Sequence, residues 1–232
     1  MKRRKFVYQT SALAAVVQFG CAGSEKDDTQ PEQLDSSAPP IEDTADPDTD
    51  TSDTAEDIPA WDDFEPPEPP GSCEETRIAM EGPYYLEDIP VRNNLDLYNE
   101  DAQKIIVYGY VCDSACQPIP NAVIEVWHAD SAGEYDLDSP EMKYYGQLAA
   151  DETGFYRFKT ILPGAYATGA DDYRPKHYHI KIWVNGEQRL ITQLYFKDDP
   201  FLEYEPNTPE SLMLEIDDSS PCRVNYDFTL KD

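Results

Sequence analysis

The chain has 232 residues and a formal net charge of −29 at pH 7, with 47 Asp and Glu against 18 Lys and Arg. So acidic a chain meets nucleic acid or anionic lipid against a repulsive field, which argues against nucleic acid as a partner. The charge is uneven: residues 24–70 carry −16 and residues 1–23 carry +4, leaving −17 on residues 71–232.

Residues 1–23 start basic, with Lys2, Arg3, Arg4 and Lys5, then run through an apolar stretch from Ser11 to Gly20 up to Cys21. This is the layout of an export signal, and it is too short to span a bilayer as a mature helix. Arg3-Arg4-Lys5-Phe6 resembles a twin-arginine signal and Gly20-Cys21 resembles a lipoprotein cleavage site, from which Gln18 and Phe19 depart. The expected location is periplasmic or on the cell surface, with Cys21 as a candidate lipid anchor. Residues 24–70 are dominated by Asp, Glu, Pro, Ser and Thr and hold few large apolar side chains. They cannot bury enough surface to offset their ordering entropy, so a disordered acidic linker is expected there.

Residues 71–232 are long enough for one domain around one core. Four cysteines, Cys73, Cys112, Cys116 and Cys222, form an even set that suits an oxidising compartment. Cys112 and Cys116 flank the turn Asp113-Ser114-Ala115, and Cys73 and Cys222 sit near the domain ends. The expected pairing is therefore Cys112 with Cys116 and Cys73 with Cys222. A zinc site is the weaker reading, because a single Cys-x3-Cys with distant partners lacks the usual ligand spacing.

No stretch after Gly71 sustains a 3.6-residue apolar period. Short runs rich in Val, Ile, Tyr and Phe instead predict strands at 104–112, 122–128, 154–160, 177–184, 190–196 and 223–230. Their regular spacing predicts an all-β fold, a β-sandwich. The loops 129–151 and 163–173 are long for such a fold, and long loops on a rigid scaffold are where sites are built.

The chemistry begins at Arg174-Pro-Lys-His177-Tyr-His179. Strand alternation sends His177 and His179 to one face and Tyr178, Ile180, Ile182 and Val184 to the other. Two imidazoles at i and i+2, in a chain with three histidines, point to a metal site. By themselves they leave zinc, copper and iron open.

The pair stands in a wider pattern: Glu81-Gly-Pro-Tyr84-Tyr, Pro118-Ile-Pro-Asn-Ala-Val-Ile-Glu-Val-Trp127-His128, Gly133-Glu-Tyr135, Leu162-Pro-Gly-Ala-Tyr166, Thr192-Gln193-Leu-Tyr-Phe and Asp199-Pro200. Together these resemble the intradiol ring-cleavage dioxygenases, closest in layout to the protocatechuate 3,4-dioxygenase core. The resemblance implies Fe(III) held by Tyr135, Tyr166, His177 and His179. It further implies catalytic roles for Arg174, Gln193 and Tyr166, with a catechol-type aromatic and O2 as reactants and a muconate-type product. With 16 tyrosines in the chain, either tyrosine alone reads better as a packing residue, and only the joint pattern makes it a ligand. Two phenolates and a hydroxide would balance the charge of a ferric ion, so such a site can be buried at little charging cost.

Ala167-Thr168 departs from the Pro-Trp that the family often has after the second tyrosine. His128 is read as structural. For a carboxylate on the substrate, Lys176 and Lys181 are the candidate partners, while the acidic surface favours a neutral catechol. The rival readings are an iron-free transthyretin-like binding module on a tether, and a zinc or copper protein using the histidine pair.

Overall fold

The computed structural model describes residues 64–169 and 172–231; the expected export signal and most of the expected linker lie outside them. In chain order the strands are β1 (Lys104–Cys112), β2 (Val123–Trp127), β3 (Tyr145–Ala149), β4 (Phe155–Ile161), β5 (Tyr166–Ala167) and β6 (Tyr173–Arg174). They continue with β7 (His177–Val184), β8 (Glu187–Phe196), β9 (Met213–Leu214), β10 (Cys222–Asn225) and β11 (Phe228–Thr229). β1 pairs antiparallel with β4 and parallel with β10 and β11, and the second sheet has the order β3-β2-β7-β8-β9. β5 and β6 form a separate two-stranded ribbon.

The long strands are rich in β-branched and aromatic residues, which fit a pleated surface buried on one side. Val107 of β1 and Phe158 of β4 meet Ile124 of β2 and Tyr178, Ile180 and Ile182 of β7 in one buried cluster, so the two sheets share a core. Full burial of such a side chain contributes about 1.5–3 kcal/mol. That inward demand on β7 leaves His177, His179 and Lys181 on the outer face. They are nevertheless buried, because the segment leading into the domain lies over that face. It is held there by Ala79 N–H donating to Ile191 O (2.9 Å), Gln193 Nε2 to Met80 O (2.6 Å) and Tyr145 Oη to Tyr84 O (2.6 Å).

Asn185 (φ 53°) and Gly186 (φ 81°) turn β7 into β8. A two-residue Asn-Gly loop with both residues left-handed matches the twist of a hairpin and sets its register. A one-residue register shift between Ile182 and Trp183 then faces His177 with Tyr195 and His179 with Gln193 across the strands.

Three features differ from the sequence reading. The expected loop 129–151 contains the edge strand β3, and the expected strand 223–230 is broken. At the break, Asp227 Oδ1 accepts from Tyr110 N–H (2.8 Å) in place of a ladder bond. The cysteine pairing is also corrected: the disulfide joins Cys73 to Cys116, with Cα atoms 5.5 Å apart, and Cys112 and Cys222 are free. Cys112 ends β1 fully buried beside Tyr110 and Phe155, whereas Cys116 lies on the turn that the Cys73 segment passes. Burial pushes the Cys112 thiol up to about 11, with Asp227 and Asp113 adding to the shift, so it is an unreactive core residue.

Contacts also begin before the expected boundary at residue 71. The Phe64 ring sits 4.7 Å from that of Tyr108, and Tyr110 Oη donates to Pro67 O (2.8 Å).

His128 is fully buried, its ring nitrogens 2.7 Å from Ala129 O and 2.6 Å from Thr160 Oγ1. Burial pulls its pKa from 6.5 down to about 4. Between those values the unfolded chain takes up a proton that the folded chain refuses. The stability present above pH 6.5 is therefore lost as pH falls towards 4, by up to about 3 kcal/mol. Urea unfolding of wild type and His128→Gln from pH 7 to pH 4 should show the stability difference between them shifting by about that amount; a difference independent of pH would contradict it.

Candidate metal centre

His177 and His179 leave the outer face of β7 two residues apart, so the pleat aims both rings the same way. Trp127 of β2, the cross-strand partner of His179, stacks on its ring at 4.9 Å with 6° between the planes. On the other side Gly82 passes so close that a Cβ there would stand 2.9 Å from His179 Cε1. His177 Nδ1 donates to Pro175 O (2.6 Å), and since a carbonyl can only accept, Nε2 is left with a free lone pair.

Tyr135 arrives on the loop after β2. Asp130 shapes that loop: its Oδ1 accepts from the N–H groups of Ala132 (2.9 Å) and Glu134 (2.8 Å). Asp130 O accepts from Gly133 N–H (3.1 Å) and from Gly164 N–H (2.7 Å). The last bond ties the loop to the segment before β5 and brings the Tyr135 and Tyr166 rings to 5.7 Å. Tyr84 stacks on Tyr135 at 4.2 Å and lies 5.7 Å from Tyr166.

Three donor atoms converge. Tyr135 Oη is 3.0 Å from His179 Nε2 and 3.4 Å from His177 Nε2, and the two Nε2 atoms are 3.1 Å apart. Metal–ligand bonds of about 2.0–2.2 Å at angles between 90° and the tetrahedral value separate donors by about 2.9–3.5 Å, so this triangle fits one metal ion. The Tyr166 ring completes the group 5.9 Å from that of His177.

The electrostatics agree with that fit. Burial pulls the His177 pKa down to about 3 and that of His179 well below its usual value, so both imidazoles are neutral donors. Burial also pushes the Tyr135 phenol far up, with Tyr166 adding to the shift, so the phenolate needs a cation beside it. The Tyr166 phenol is raised by burial and pulled back by the Arg174 guanidinium. His179 Nδ1 is buried without a hydrogen-bond partner. Among the described residues no three His, Cys, Asp or Glu side chains gather closely enough to hold a metal, so a donor set here must draw on tyrosine oxygen.

Arg174 faces Tyr166 across the β5–β6 ribbon. Its Nη2 donates to Gln193 Oε1 (2.7 Å) and Tyr195 Oη (3.2 Å), and Tyr195 Oη donates to the same Gln193 oxygen (2.7 Å). Its Nε forms an ion pair with Glu205, without the alignment of a hydrogen bond. Glu205 follows the 3-10 turn Pro200–Tyr204, which Asp199 caps by accepting from Phe201 N–H (2.8 Å). Beside these residues opens a cleft of about 460 Å3, whose walls include Arg174, Gln193, Tyr195, Glu205 and Arg77.

The structure thus gathers Tyr135, His177 and His179 directly, sets Tyr166 beside them, and places Arg174 and Gln193 in one bonded group. His128 lies on the core side, against Tyr178 and Tyr144, apart from the donors. Sequence reasoning missed Glu205, which no motif marks. It also gave Tyr195 no role, although its place on the Gln193 face was readable from alternation.

Fold and site together define an all-β, two-sheet protein in which two histidines and a tyrosine converge as candidate metal donors. The family model described as "Dioxygenase" matches residues 80–231. The chain belongs to the intradiol ring-cleavage dioxygenase family. It is 39% identical over 124 residues to the protocatechuate 3,4-dioxygenase beta chain of Burkholderia cepacia, covering 47% of this chain and 52% of that one. A chlorocatechol 1,2-dioxygenase of Rhodococcus opacus is 32% identical over 151 residues, 55% of this chain and 59% of its own. The chain thus spans between half and three fifths of the length of these curated relatives. Among solved structures, the dioxygenase domain of a dioxygenase carbohydrate-binding fusion from Streptomyces sp. SirexAA-E is similar with a TM-score of 0.62 at 30% identity. That match covers 68% of this chain and 99% of that one.

Proposed function

We propose that the chain is a non-haem Fe(III) intradiol dioxygenase. It would add both atoms of O2 to a catechol-type aromatic and open the ring between the hydroxyl-bearing carbons, giving a muconate-type dicarboxylate. Catechol plus O2 balances to that product with no further reductant. The observation that carries the reading is the convergence of Tyr135 Oη, His177 Nε2 and His179 Nε2 within 3.0–3.4 Å, beside Tyr166 and Arg174. Hard phenolate oxygen favours the ferric over the ferrous ion. Ferric iron, when bound, supplies the Lewis acidity that holds the tyrosines as phenolates and makes the bound catecholate reactive to O2.

The chain's own groups do the rest. Tyr166 Oη can take a proton from a substrate hydroxyl, because Arg174 beside it offsets part of the burial that opposes its phenolate. The half-buried Arg174 guanidinium stabilises negative charge that builds on the ring. Gln193 and Tyr195 hold Nη2 in place, and Glu205 holds Nε, so the guanidinium is aimed before substrate arrives.

Export to the periplasm or cell surface, with Cys21 as lipid anchor, is proposed with this activity; the Cys73–Cys116 disulfide supports an oxidising compartment. The test of function is direct. Protein loaded with Fe(III) should be red-brown, and added catechol should shift the band, consume one O2 per ring and yield the muconate. A colourless protein that consumes no O2 with any catechol would overturn the reading.

A further inference from the structure

The cleft beside Arg174 carries information about the substrate, an inference that rests on the proposed ring cleavage. Both lysines that could have met a substrate carboxylate are already engaged. Lys176 Nζ pairs with Asp199 at 3.2 Å, and Lys181, buried, pairs with Glu81 at 2.5 Å while its ammonium lies 3.2 Å from the centre of the Tyr85 ring. Arg174 is taken by Glu205, Gln193 and Tyr195.

Arg77 is different. It lines the same cleft, is exposed, and its side chain has no ion-pair or hydrogen-bond partner among the described residues. Among the described residues Glu205 is the one carboxylate in the cleft wall, and it is occupied by Arg174; Glu74 and Glu75 are exposed and do not line the cleft. The wall is mixed, with polar side chains such as Asn207 and Thr208 beside apolar ones that stay open to solvent: Ile78 is 78% exposed, Met80 73% and Tyr204 42%. A volume of about 460 Å3 lies within the range of roughly 300–1,000 Å3 typical of small-molecule pockets.

We propose that the substrate is a catechol bearing an apolar arm that ends in a carboxylate, with the ring at the metal centre, the arm along Ile78, Met80 and Tyr204, and the carboxylate at Arg77. This sets a local cation against the acidic character of the whole chain, so long-range repulsion and short-range selection act in opposite directions.

The test compares 3-(3,4-dihydroxyphenyl)propionate with its neutral amide, in wild type, Arg77→Gln and Arg77→Lys, by O2 uptake and by calorimetric binding. Wild type should favour the acid in kcat/KM by roughly fivefold, the scale of one solvent-accessible ion pair. Arg77→Gln should bring the ratio to about one, and Arg77→Lys should keep most of it. A general folding defect lowers both substrates alike and leaves the ratio standing. If both are cleaved and the ratio is the same in wild type and Arg77→Gln, the proposal fails while the ring-cleavage reading survives. If neither is cleaved but calorimetry shows a preference for the acid that Arg77→Gln removes, the ring-cleavage reading fails and the anion site stands. Absence of any preference in binding overturns the site as well.

Discussion

Tyr135→Phe is expected to release the metal and to lower ring-cleaving activity by about a thousandfold or more. Groups that merely orient metal ligands cost 10- to 100-fold when removed, and Tyr135 is itself one of three converging donors. The change deletes one oxygen and keeps the ring that Tyr84 stacks on at 4.2 Å, so the fold should persist. What remains, two neutral imidazoles and Tyr166, has lost the one phenol oxygen that lies within 3.0–3.4 Å of both. Iron content after dialysis, read beside the tyrosinate colour and O2 uptake, checks this. A variant that retains full iron and the unaltered band would remove Tyr135 from the ligand set.

Replacing Cys73 and Cys116 together with serine is expected to cost about 4 kcal/mol. This is the loop-closure entropy that a bridge between residues 43 apart withdraws from the unfolded chain. For a domain of this size that corresponds to a fall in Tm of about 10 °C. The effect should reach the site, because the bridge anchors the segment whose next residues, Thr76 to Tyr85, lie over His179 and bond to Ile191 and Gln193. Loss of metal affinity should accompany the loss of stability. Thermal unfolding of the double variant with and without iron tests both parts, and an unchanged Tm would show that the bridge contributes nothing. Cys112, with its thiol pushed up by burial, should stay unmodified by alkylating reagents until the protein unfolds.

Family membership disfavours the iron-free binding module, and the donor triangle favours a metal over a bare pair of surface histidines. The zinc or copper alternative differs in what it requires of tyrosine. Neither metal needs a second phenolate, whereas Tyr166 sits 5.9 Å from His177 with Arg174 favouring its anion. The same metal and colour measurements separate these readings.

What could be read without coordinates came from local rules. The pleat of β7 alone places His177 and His179 on one face and Tyr178, Ile180 and Ile182 in the core, because side-chain direction along a strand repeats every two residues. The Asn185-Gly186 turn follows from backbone preferences that two residues carry by themselves, whereas the meeting of His179 and Gln193 also needs the one-residue register shift at Ile182/Trp183, which the turn does not carry. Tyr135 and Tyr166 became legible as candidate ligands through the family pattern rather than through spacing, since 30 residues of intervening chain say nothing about distance. Only the tertiary structure decided which partner each long-range group takes: Cys116 with Cys73 rather than Cys112, Arg174 with Glu205, and Lys176 and Lys181 with Asp199 and Glu81. These choices depend on where separate loops meet, and chemical type alone offers each cysteine or cation several equivalent partners. Those same choices leave Arg77 in the cleft with no side-chain partner among the described residues, which is the ground for the proposed substrate preference.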